Sequence, residues 1–418
     1  MARYHIETYG CTSNRGESRQ IERALRDGGH RQVASPAEAD VAILNTCTVV
    51  EKTERNMLTR AEELDEQTPG DLVITGCMAL AQGEQFRAAG IDAEILHWDE
   101  VPEHVRNGEC PTPAADTEPV IDGVVGILPI ARGCMSDCSY CITKHATGKI
   151  DSPSVGENVR KARALVHAGA RELRITGQDT GVYGWDDGER KLHVLLERIC
   201  DEIDGEFRVR VGMANPKGIH GIREELAAVF AEQEKLYNFL HIPVQSGSND
   251  VLADMRRQHT VSEYVEVVET FDEALGEWTL STDFIVGFPT ETERDYEQSL
   301  ALLRETRPEK INVTRFSKRP KTDAAEMKGL GGQTKKDRSS EMVELKMDVV
   351  GAAYESMVGT EREVLFVEDG TGDSLVGYDR AYRQVAVPGA EAGGFELGET
   401  VTCEITGQNT VYALGDVV

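Results

Sequence analysis

The feature that most constrains this chain is a group of three cysteines in the segment Arg132-Gly-Cys-Met-Ser-Asp-Cys-Ser-Tyr-Cys141. Cys134, Cys138 and Cys141 have the spacing C-x3-C-x2-C and follow a predicted strand at Val124–Ala131. Three thiolates on one loop can hold three irons of a [4Fe–4S] cube. Because no fourth cysteine stands at a matching distance, one iron would keep an open position for a chelating substrate, as a catalytic zinc site does.

Two other interpretations of this motif stay open at this point. One is a structural zinc site, for which His145 would supply the fourth ligand that such sites need. The other is a chance grouping of cysteines. The nine cysteines of the chain favour metal binding or catalysis, because thiols of cytosolic proteins stay reduced.

Length and composition bound the class of protein. A chain of 418 residues predicts two or three domains, and an apolar share of 40% is typical of a folded protein. No segment approaches the roughly 18 apolar residues of a membrane-spanning helix, and the N-terminus has no apolar signal core. We therefore expect a cytoplasmic protein with no membrane partner.

The net charge of −28 argues against a nucleic-acid partner, because Lys and Arg are needed to bind phosphates. A salt-rich cytosol would remove this conflict, since the Debye length falls to about 3 Å at about 1 M salt and repulsion is screened. A halophilic habitat and an ordinary acidic protein both remain as hypotheses.

Residues 1–108 are predicted to form an open parallel α/β domain with a second set of cysteines. Its main predicted strands are Tyr4–Tyr9, Asp40–Leu44 and Asp71–Ile74. Cys11, Cys47 and Cys77 each stand just after one of these strands. The carboxyl ends of parallel strands meet at one edge of a sheet, where ligands bind. We interpret this trio as ligands of a second [4Fe–4S] cluster, with three unrelated buried thiols as the alternative.

Residues 120–349 are predicted to form a partial (β/α)6 barrel, in which parallel strands alternate with helices. The strands predicted after Val124–Ala131 are Glu172–Thr176, Arg208–Met213, Phe239–Pro243, Ser281–Val286 and Lys310–Phe316. Several of them end in polar residues and glycines, which allow a ligand to approach the backbone at the carboxyl edge. The residues that we expect to contact a ligand there are Gly177, Gln178, Asp179, Asn215 and Gln245.

The remaining segments are a linker and a small domain. Residues 109–119 are rich in proline and predict an interdomain linker, in which Cys110 has no ligand role. Residues 354–418 predict a small antiparallel β-barrel. Its predicted strands are Glu363–Val367, Gln384–Val387, Thr400–Ile405 and Val411–Leu414. Cys200 and Cys403 are predicted core residues.

Nearly the whole chain resembles the methylthiotransferases of the radical SAM superfamily. The resemblance rests on the cysteine motif at 134–141 and on Thr8-Tyr-Gly-Cys11, Asn45-Thr-Cys47, Thr75-Gly-Cys77, Leu240-His-Ile-Pro-Val-Gln-Ser-Gly247 and Thr282-Asp-Phe-Ile-Val-Gly-Phe-Pro289. It implies that the open iron binds S-adenosylmethionine (SAM) and that one electron cleaves SAM to a 5′-deoxyadenosyl radical. It also implies that the cluster on Cys11, Cys47 and Cys77 holds or donates sulfur, that two SAM molecules are used, and that Tyr140 packs near the adenine.

The C-terminal barrel resembles the TRAM domain, an OB-like module associated with RNA. We expect a narrow RNA-binding face of residues that can stack on bases or pair with phosphates, namely Tyr378, Arg380, Tyr382 and Arg383. Without the resemblance, three basic residues against twelve acidic ones from Glu355 onward would indicate a protein-contact domain.

More positive charge lies just before this domain. Arg315, Lys318 and Arg319 belong to a group that is expected to follow the phosphate backbone of RNA, with a solvated linker as the alternative. The segment Phe316-Ser-Lys-Arg-Pro-Lys-Thr322 resembles the family except at Lys321, where glycine is usual. This change predicts an altered loop flexibility or an added phosphate contact.

Members of this family act on isopentenyladenosine 37 or threonylcarbamoyladenosine 37 of tRNA, or on an aspartate of a ribosomal protein. Cys141-Ile-Thr-Lys-His-Ala-Thr-Gly148 and Gln178-Asp-Thr-Gly-Val-Tyr-Gly184 are similar to the archaeal and eukaryotic threonylcarbamoyladenosine branch. The resemblance thus implies a monomeric enzyme that inserts a methylthio group at C2 of that nucleoside, with tRNA and an electron donor such as a ferredoxin or flavodoxin as partners. The alternative from another class is a non-catalytic iron–sulfur protein that binds RNA or carries electrons.

Overall fold

A computed structural model describes residues 1–48, 51–106, 119–389 and 393–418. Its N-terminal domain is an open parallel sheet, as predicted, and the strand order is β2-β1-β3-β4-β5. The elements are β1 (Arg3–Thr8), α1 (Thr12–Asp27), β2 (Arg31–Gln32), β3 (Val41–Thr46), α2 (Glu51–Gln67), β4 (Asp71–Thr75), α3 (Gly76–Ala88), β5 (Glu94–Ile95) and α4 (Val101–Val105). The central strand β3 is buried along its whole length, which explains its near-continuous apolar sequence.

The central domain consists of two parallel three-stranded sheets, β6-β7-β8 and β9-β10-β11. Its elements are β6 (Val125–Pro129), α5 (Lys144–Thr147), α6 (Val155–His167), β7 (Glu172–Thr176), α7 (Leu192–Glu202), β8 (Arg208–Val211), α8 (Pro216–His220), α9 (Arg223–Glu232), β9 (Phe239–His241), α10 (Asn249–Asp254), α11 (Val261–Leu275), β10 (Thr279–Val286), α12 (Glu293–Thr306), β11 (Lys310–Arg315), α13 (Asp323–Glu326) and α14 (Gly332–Glu355). Parallel bridges between Val209 and Leu236 and between Met213 and His241 join the two sheets. Because β6 and β11 are the outer strands, the barrel is partial, as predicted.

The two faces of the central strands differ in chemistry. Leu173 and Ile175 of β7 are fully buried in the main hydrophobic core. Glu172 and Arg174 alternate with them and therefore point to the other face, which is the interior of the barrel. Local sequence also defines the surrounding helices, since Thr260 and Glu263 form a capping box at the start of α11.

The C-terminal domain is a closed barrel with the strand order β12-β13-β14-β16-β15. Its strands are β12 (Glu361–Asp369), β13 (Leu375–Tyr378), β14 (Gln384–Val387), β15 (Thr400–Gln408) and β16 (Ala413–Val417). The pairings are antiparallel except for β14 with β16. Strand β13 was not predicted, because Gly377 interrupts its apolar pattern. A Cβ atom on Gly377 would lie 2.3 Å from the Leu365 oxygen, so the close pairing with β12 requires glycine.

This barrel packs on the amino ends of the core strands. Leu365 and Val367 of β12 contact Val125, the first residue of β6. Tyr382 packs against Phe239, the first residue of β9, with ring centroids 4.8 Å apart. The cysteine loop follows the carboxyl end of β6, so it lies at the opposite edge of the core from the C-terminal barrel.

Within the described residues, no helix is long and apolar enough to cross a membrane. Cys110 and residues 109–118 of the predicted linker lie outside the described part of the chain.

Candidate active site

The first cysteine trio lies on the loop between β6 and α5. The Cys141 N–H donates to the Cys138 oxygen at 3.2 Å, and the Cys134 N–H donates to the Gly148 oxygen at 3.3 Å. Gly133 has φ +78°, and a Cβ atom there would lie 2.0 Å from the Lys149 oxygen. The glycine is therefore required for the loop to turn back on itself. All three thiols of the loop are free.

The second trio follows the carboxyl ends of β1, β3 and β4, as predicted. Cys11 and Cys77 stand at the starts of α1 and α3, and Cys47 follows β3. A Cβ atom on Gly10 would lie 2.8 Å from Cys47 Cβ, which shows how closely the first two segments approach. Buried hydrogen bonds from Asn14 Nδ2 to Asn45 Oδ1 (2.9 Å) and to the Thr46 oxygen (3.1 Å) hold these segments together.

The segments that carry the two trios lie against each other. The pKa of the Cys77 thiol is raised well above its ordinary value, first by burial and then by the charges of Glu17, Cys11, Cys47 and Cys141. Cys77 is thus within electrostatic reach of its own trio and of the first trio. The packing of α3, which begins beside Cys77, against α5, which follows Cys141, brings the two loops together.

The arrangement of the possible ligands bears on the zinc alternative. Within the described residues, no three His, Cys, Asp or Glu side chains are grouped around a single metal position. A [4Fe–4S] cube does not require such a group, because each thiolate binds a different iron. His145, the fourth ligand of the zinc alternative, instead has its Nε2 2.9 Å from the Lys321 oxygen.

Burial disfavours thiolates in this site unless a cation is bound. It raises the pKa of Cys134 to about 11, and it is also the first cause of the raised pKa of Cys141. Cluster irons supply the positive charge that would offset this penalty. Three free thiols in each trio are the donor set that an iron–sulfur cluster would use.

Three of the residues predicted at the strand tips are hydrogen-bonded around the first cysteine loop. Gln178 Oε1 accepts from the Gly133 N–H at 2.8 Å. Asp179 Oδ1 accepts from the Asn215 N–H at 2.9 Å, and Asn215 Nδ2 donates to Ser136 Oγ at 3.2 Å. Gly177 stands beside them at the end of β7.

Several buried polar atoms of the core have no hydrogen-bond partner within the described protein, among them Asp179 Oδ2, Gln245 Oε1 and Arg257 Nε. Gln245 also has φ +74°, a strained backbone that is typical of functional sites. Burial raises the pKa of Asp179 to about 6. Asp179 and Arg257, which are hydrogen-bonded to Asn215, therefore keep hydrogen-bonding capacity that the described protein leaves unused.

Comparisons with known proteins identify the family of the chain. Family models match for the Radical SAM superfamily over residues 128–303, for Uncharacterized protein family UPF0004 over residues 3–96 and for the TRAM domain over residues 355–418. The "Probable threonylcarbamoyladenosine tRNA methylthiotransferase" of Archaeoglobus fulgidus is 37% identical over 99% of this chain and 98% of its own length. The human threonylcarbamoyladenosine tRNA methylthiotransferase is 31% identical over 92% of this chain and 69% of its own length.

The chain belongs to the radical SAM methylthiotransferase family. It is therefore an enzyme whose superfamily uses SAM and an iron–sulfur cluster. TsrM of Kitasatospora setae, a radical SAM methyltransferase with cobalamin and a [4Fe–4S] cluster bound, has a TM-score of 0.55 at 13% identity, over 77% of this chain and 73% of its own. The cobalamin-dependent enzyme OxsB has a TM-score of 0.53 at 12% identity, over 84% of this chain and 56% of its own. At these identities the likeness shows a shared fold alone.

Arg257 is a residue of this methylthiotransferase that the sequence analysis missed. Its Nη1 lies 3.7 Å from Cys138 Sγ, and its Nη2 donates to Asn215 Oδ1 at 3.0 Å. Sequence alone does not distinguish it from the neighbouring Arg256, which forms exposed ion pairs with Asp137 and Asp323. Only the packing of the loop after α10 directs one arginine to the cysteines and the other to solvent.

Tyr140 lies beside the cysteine loop in an aromatic cluster. Its ring meets Phe288 edge to face, with centroids 6.5 Å apart, and Phe288 in turn meets Phe316 at 5.3 Å. Burial raises the pKa of Tyr140 strongly, so it stays a neutral phenol. Its predicted contact with adenine remains a prediction.

The structure corrects three of the residues predicted to bind RNA. Tyr382, Arg383 and Arg319 are only 6%, 7% and 5% exposed. The stacking of Tyr382 on Tyr378 and the ion pair of Arg383 Nε with Glu309 (2.6 Å) bury this supposed face against the core. The acidic partners on the core explain why few cations of the C-terminal barrel are free to meet RNA.

The other predicted RNA contacts have different surroundings. Arg315 and Lys318 are exposed at the carboxyl end of β11, whereas Arg380 and Tyr378 are half-buried. The Arg380 oxygen accepts a hydrogen bond from the Asn238 N–H at 2.8 Å, which ties the C-terminal barrel to the core.

Proposed function

We propose that this enzyme inserts a methylthio group at C2 of N6-threonylcarbamoyladenosine 37 in tRNA, using SAM and two [4Fe–4S] clusters. The observation that carries the proposal is the packing of α3, which begins beside Cys77, against α5, which follows Cys141, so that the two cysteine-bearing segments adjoin. The names of the archaeal and human relatives support the nucleoside. A C–H bond without an acidic proton resists acid–base chemistry, so a radical route is required.

The residues of the site divide the work. Cys134, Cys138 and Cys141 hold the cluster with the open iron, and Cys11, Cys47 and Cys77 hold the second cluster. When bound, the two clusters supply the electron that cleaves SAM and hold or donate the sulfur that is transferred. Gln178, Asp179, Asn215, Gln245 and Arg257 orient SAM through their polar atoms, while burial keeps water away.

Contacts with tRNA are proposed for exposed cations near the carboxyl edge of the barrel. Arg315 and Lys318 fit this role because they lie on the active-site side of the core. An electron donor such as a ferredoxin or flavodoxin and a cytoplasmic, monomeric enzyme complete the proposal.

Nucleoside analysis of tRNA from a deletion strain tests this function. We expect loss of the 2-methylthio derivative and accumulation of N6-threonylcarbamoyladenosine, with recovery on complementation. Unchanged methylthiolation in the deletion strain would refute the proposal. In the purified, reconstituted enzyme, Cys47→Ala should cleave SAM to 5′-deoxyadenosine without forming product, whereas Cys138→Ala should do neither. Cys200→Ala, which changes a buried core cysteine of α7, is the matched control.

A further inference from the structure

The bridging loop, residues 316–324, contacts both cysteine-bearing parts of the protein. On the core side, the Ala324 N–H donates to the Ser139 oxygen at 2.9 Å, and the Lys321 oxygen lies 2.9 Å from His145 Nε2. These contacts reach the cysteine loop between Cys138 and Cys141 and the helix α5 that follows it. On the other side, the bridging loop contacts the N-terminal domain through Arg319 and Lys321.

Arg319 enters a buried polar cluster directly beside Cys47. Its Nη2 donates to the Thr48 oxygen at 3.1 Å and forms an ion pair with Glu54. The side chains of Arg319 and Glu54 are 5% and 9% exposed, so water cannot replace either partner. Arg319 thereby fixes the backbone of the residue that follows a predicted cluster ligand.

The same cluster reaches the helix that carries Cys77. Gln82 of α3 donates from Nε2 to Thr48 Oγ1 at 2.6 Å and also contacts Glu54. The helix is kinked at Gln82, which has φ −142° and ψ +30°. Lys321 Nζ donates to the Ala81 oxygen at 2.8 Å, next to the kink, and pairs with Glu84.

We infer that Arg319 is a positioning residue that sets the separation and orientation of the two cysteine trios, through Thr48 and Gln82 on one side and the bridging loop on the other. The inference rests on the proposed function, because the separation matters only if sulfur held at one trio must reach a substrate activated at the other. The guanidinium suits this role, since its Nη2 reaches both Thr48 and Glu54 and the group stays charged when it is buried.

Hydrogen exchange in the metal-free protein tests the positioning directly. In Arg319→Met, we expect amides of α3 to exchange at least about 10-fold faster, with amides of β1 and α11 unchanged. Arg319→Lys keeps the charge but not the fork, so a smaller effect in the same direction is expected. Lys318→Met, at the adjacent exposed position, should leave exchange unchanged. Unchanged exchange in α3, or equal acceleration throughout the protein, would overturn the inference.

Turnover of the reconstituted enzyme supplies the second measurement. In Arg319→Met, we expect the ratio of methylthiolated product to 5′-deoxyadenosine to fall at least about 10-fold, while SAM cleavage stays within about threefold of wild type. Equal losses of product and SAM cleavage would count against a positioning role. If the wild-type enzyme forms no methylthiolated nucleoside, the proposed function fails, and the exchange measurement still decides the role of Arg319.

Discussion

Tyr382 stacks on Tyr378 inside the protein, with ring centroids 4.1 Å apart and ring planes 12° from parallel. The pair joins the C-terminal barrel to the core, because Tyr382 also meets Phe239 and Tyr237 at 4.8 Å. Tyr382 has φ +61°, a conformation that bulky residues adopt only when packing imposes it. The aromatic residues of this segment therefore serve domain packing.

Replacing Tyr382 should destabilise the protein. We expect Tyr382→Ala to lower the free energy of unfolding by about 3–5 kcal/mol, the usual cost of removing a buried aromatic side chain. Chemical denaturation of both proteins measures the difference. Tyr412→Ala, at a partly exposed tyrosine of the same domain, should cost less than about 1 kcal/mol. A Tyr382→Ala protein of wild-type stability with weaker tRNA binding would restore the RNA-stacking interpretation.

The buried carboxyl group of Asp379 should make the stability of the protein depend on pH. Asp379 is 2% exposed, its Oδ1 accepts from the Arg383 N–H at 2.8 Å, and burial raises its pKa to about 6. Between its unfolded pKa of about 4 and its folded pKa, the folded state binds more protons, so this contribution to stability falls as pH rises. Between a pH of about 5 and a pH of about 8, the free energy of unfolding should fall by about 1–1.5 kcal/mol through this group.

Asp379→Asn should remove this contribution, because an amide keeps the acceptor oxygen and carries no charge. Thermal unfolding of the variant and the wild type across this pH range measures the difference. We expect the variant to gain stability relative to wild type as pH rises. A difference that is constant with pH would contradict the assignment.

Replacing Gly76 should cause the loss of iron from one of the two proposed clusters. Gly76 has φ +87°, and a Cβ atom would lie 2.2 Å from Asn45 Oδ1 and 2.5 Å from the Thr46 oxygen, so alanine must displace Cys77. Gly76→Ala should retain about half of the eight or so irons expected for two cubes after anaerobic reconstitution. Gly90 has φ +82° and open space around its Cβ position, so Gly90→Ala should retain all of the iron. Equal iron contents in the two variants would show that Gly76 does not affect cluster binding.

Replacing Arg257 should lower the affinity of the enzyme for SAM. The Arg257 guanidinium contacts Cys138 and Asn215, and we expect it to pair with the carboxylate of SAM when SAM is bound. Arg257→Met should weaken SAM binding by at least about 30-fold, the lower limit for removing one partner of a buried charge pair. Equilibrium binding to the reconstituted protein measures this. Arg256→Met, at the neighbouring exposed arginine, should keep a SAM affinity within about twofold of wild type. Equal effects of the two substitutions would show that Arg257 does not contact SAM.

Arg315 and Lys318 should contribute to the salt dependence of tRNA binding. If each contacts a phosphate, replacement by alanine should weaken binding and reduce the log–log slope against salt by about 1 per residue. Titrations of tRNA at several KCl concentrations measure both quantities. Lys161→Ala, at an exposed lysine of α6, should change neither. An unchanged slope in the Arg315 and Lys318 variants would place the tRNA elsewhere.

Local sequence determined the main strands that we predicted and the positions of the cysteines relative to them. A strand buried on both faces needs a continuous apolar run, and β3 and β4 show this directly. Because parallel strands share one carboxyl edge, the position of Cys11, Cys47 and Cys77 after three such strands was enough to predict their convergence. These inferences depend on spacing along the chain and on elementary sheet geometry.

Only the tertiary structure decided which charged and aromatic residues face solvent. Arg319 and Glu54 are 265 positions apart, and no local pattern indicates that they pair. Tyr382 and Arg383 have the composition of an RNA-binding face, yet the acidic and aromatic residues at the amino ends of β9, β10 and β11 bury them. The burial of a charge depends on whether a distant segment supplies its counter-charge, and folding alone brings those segments together.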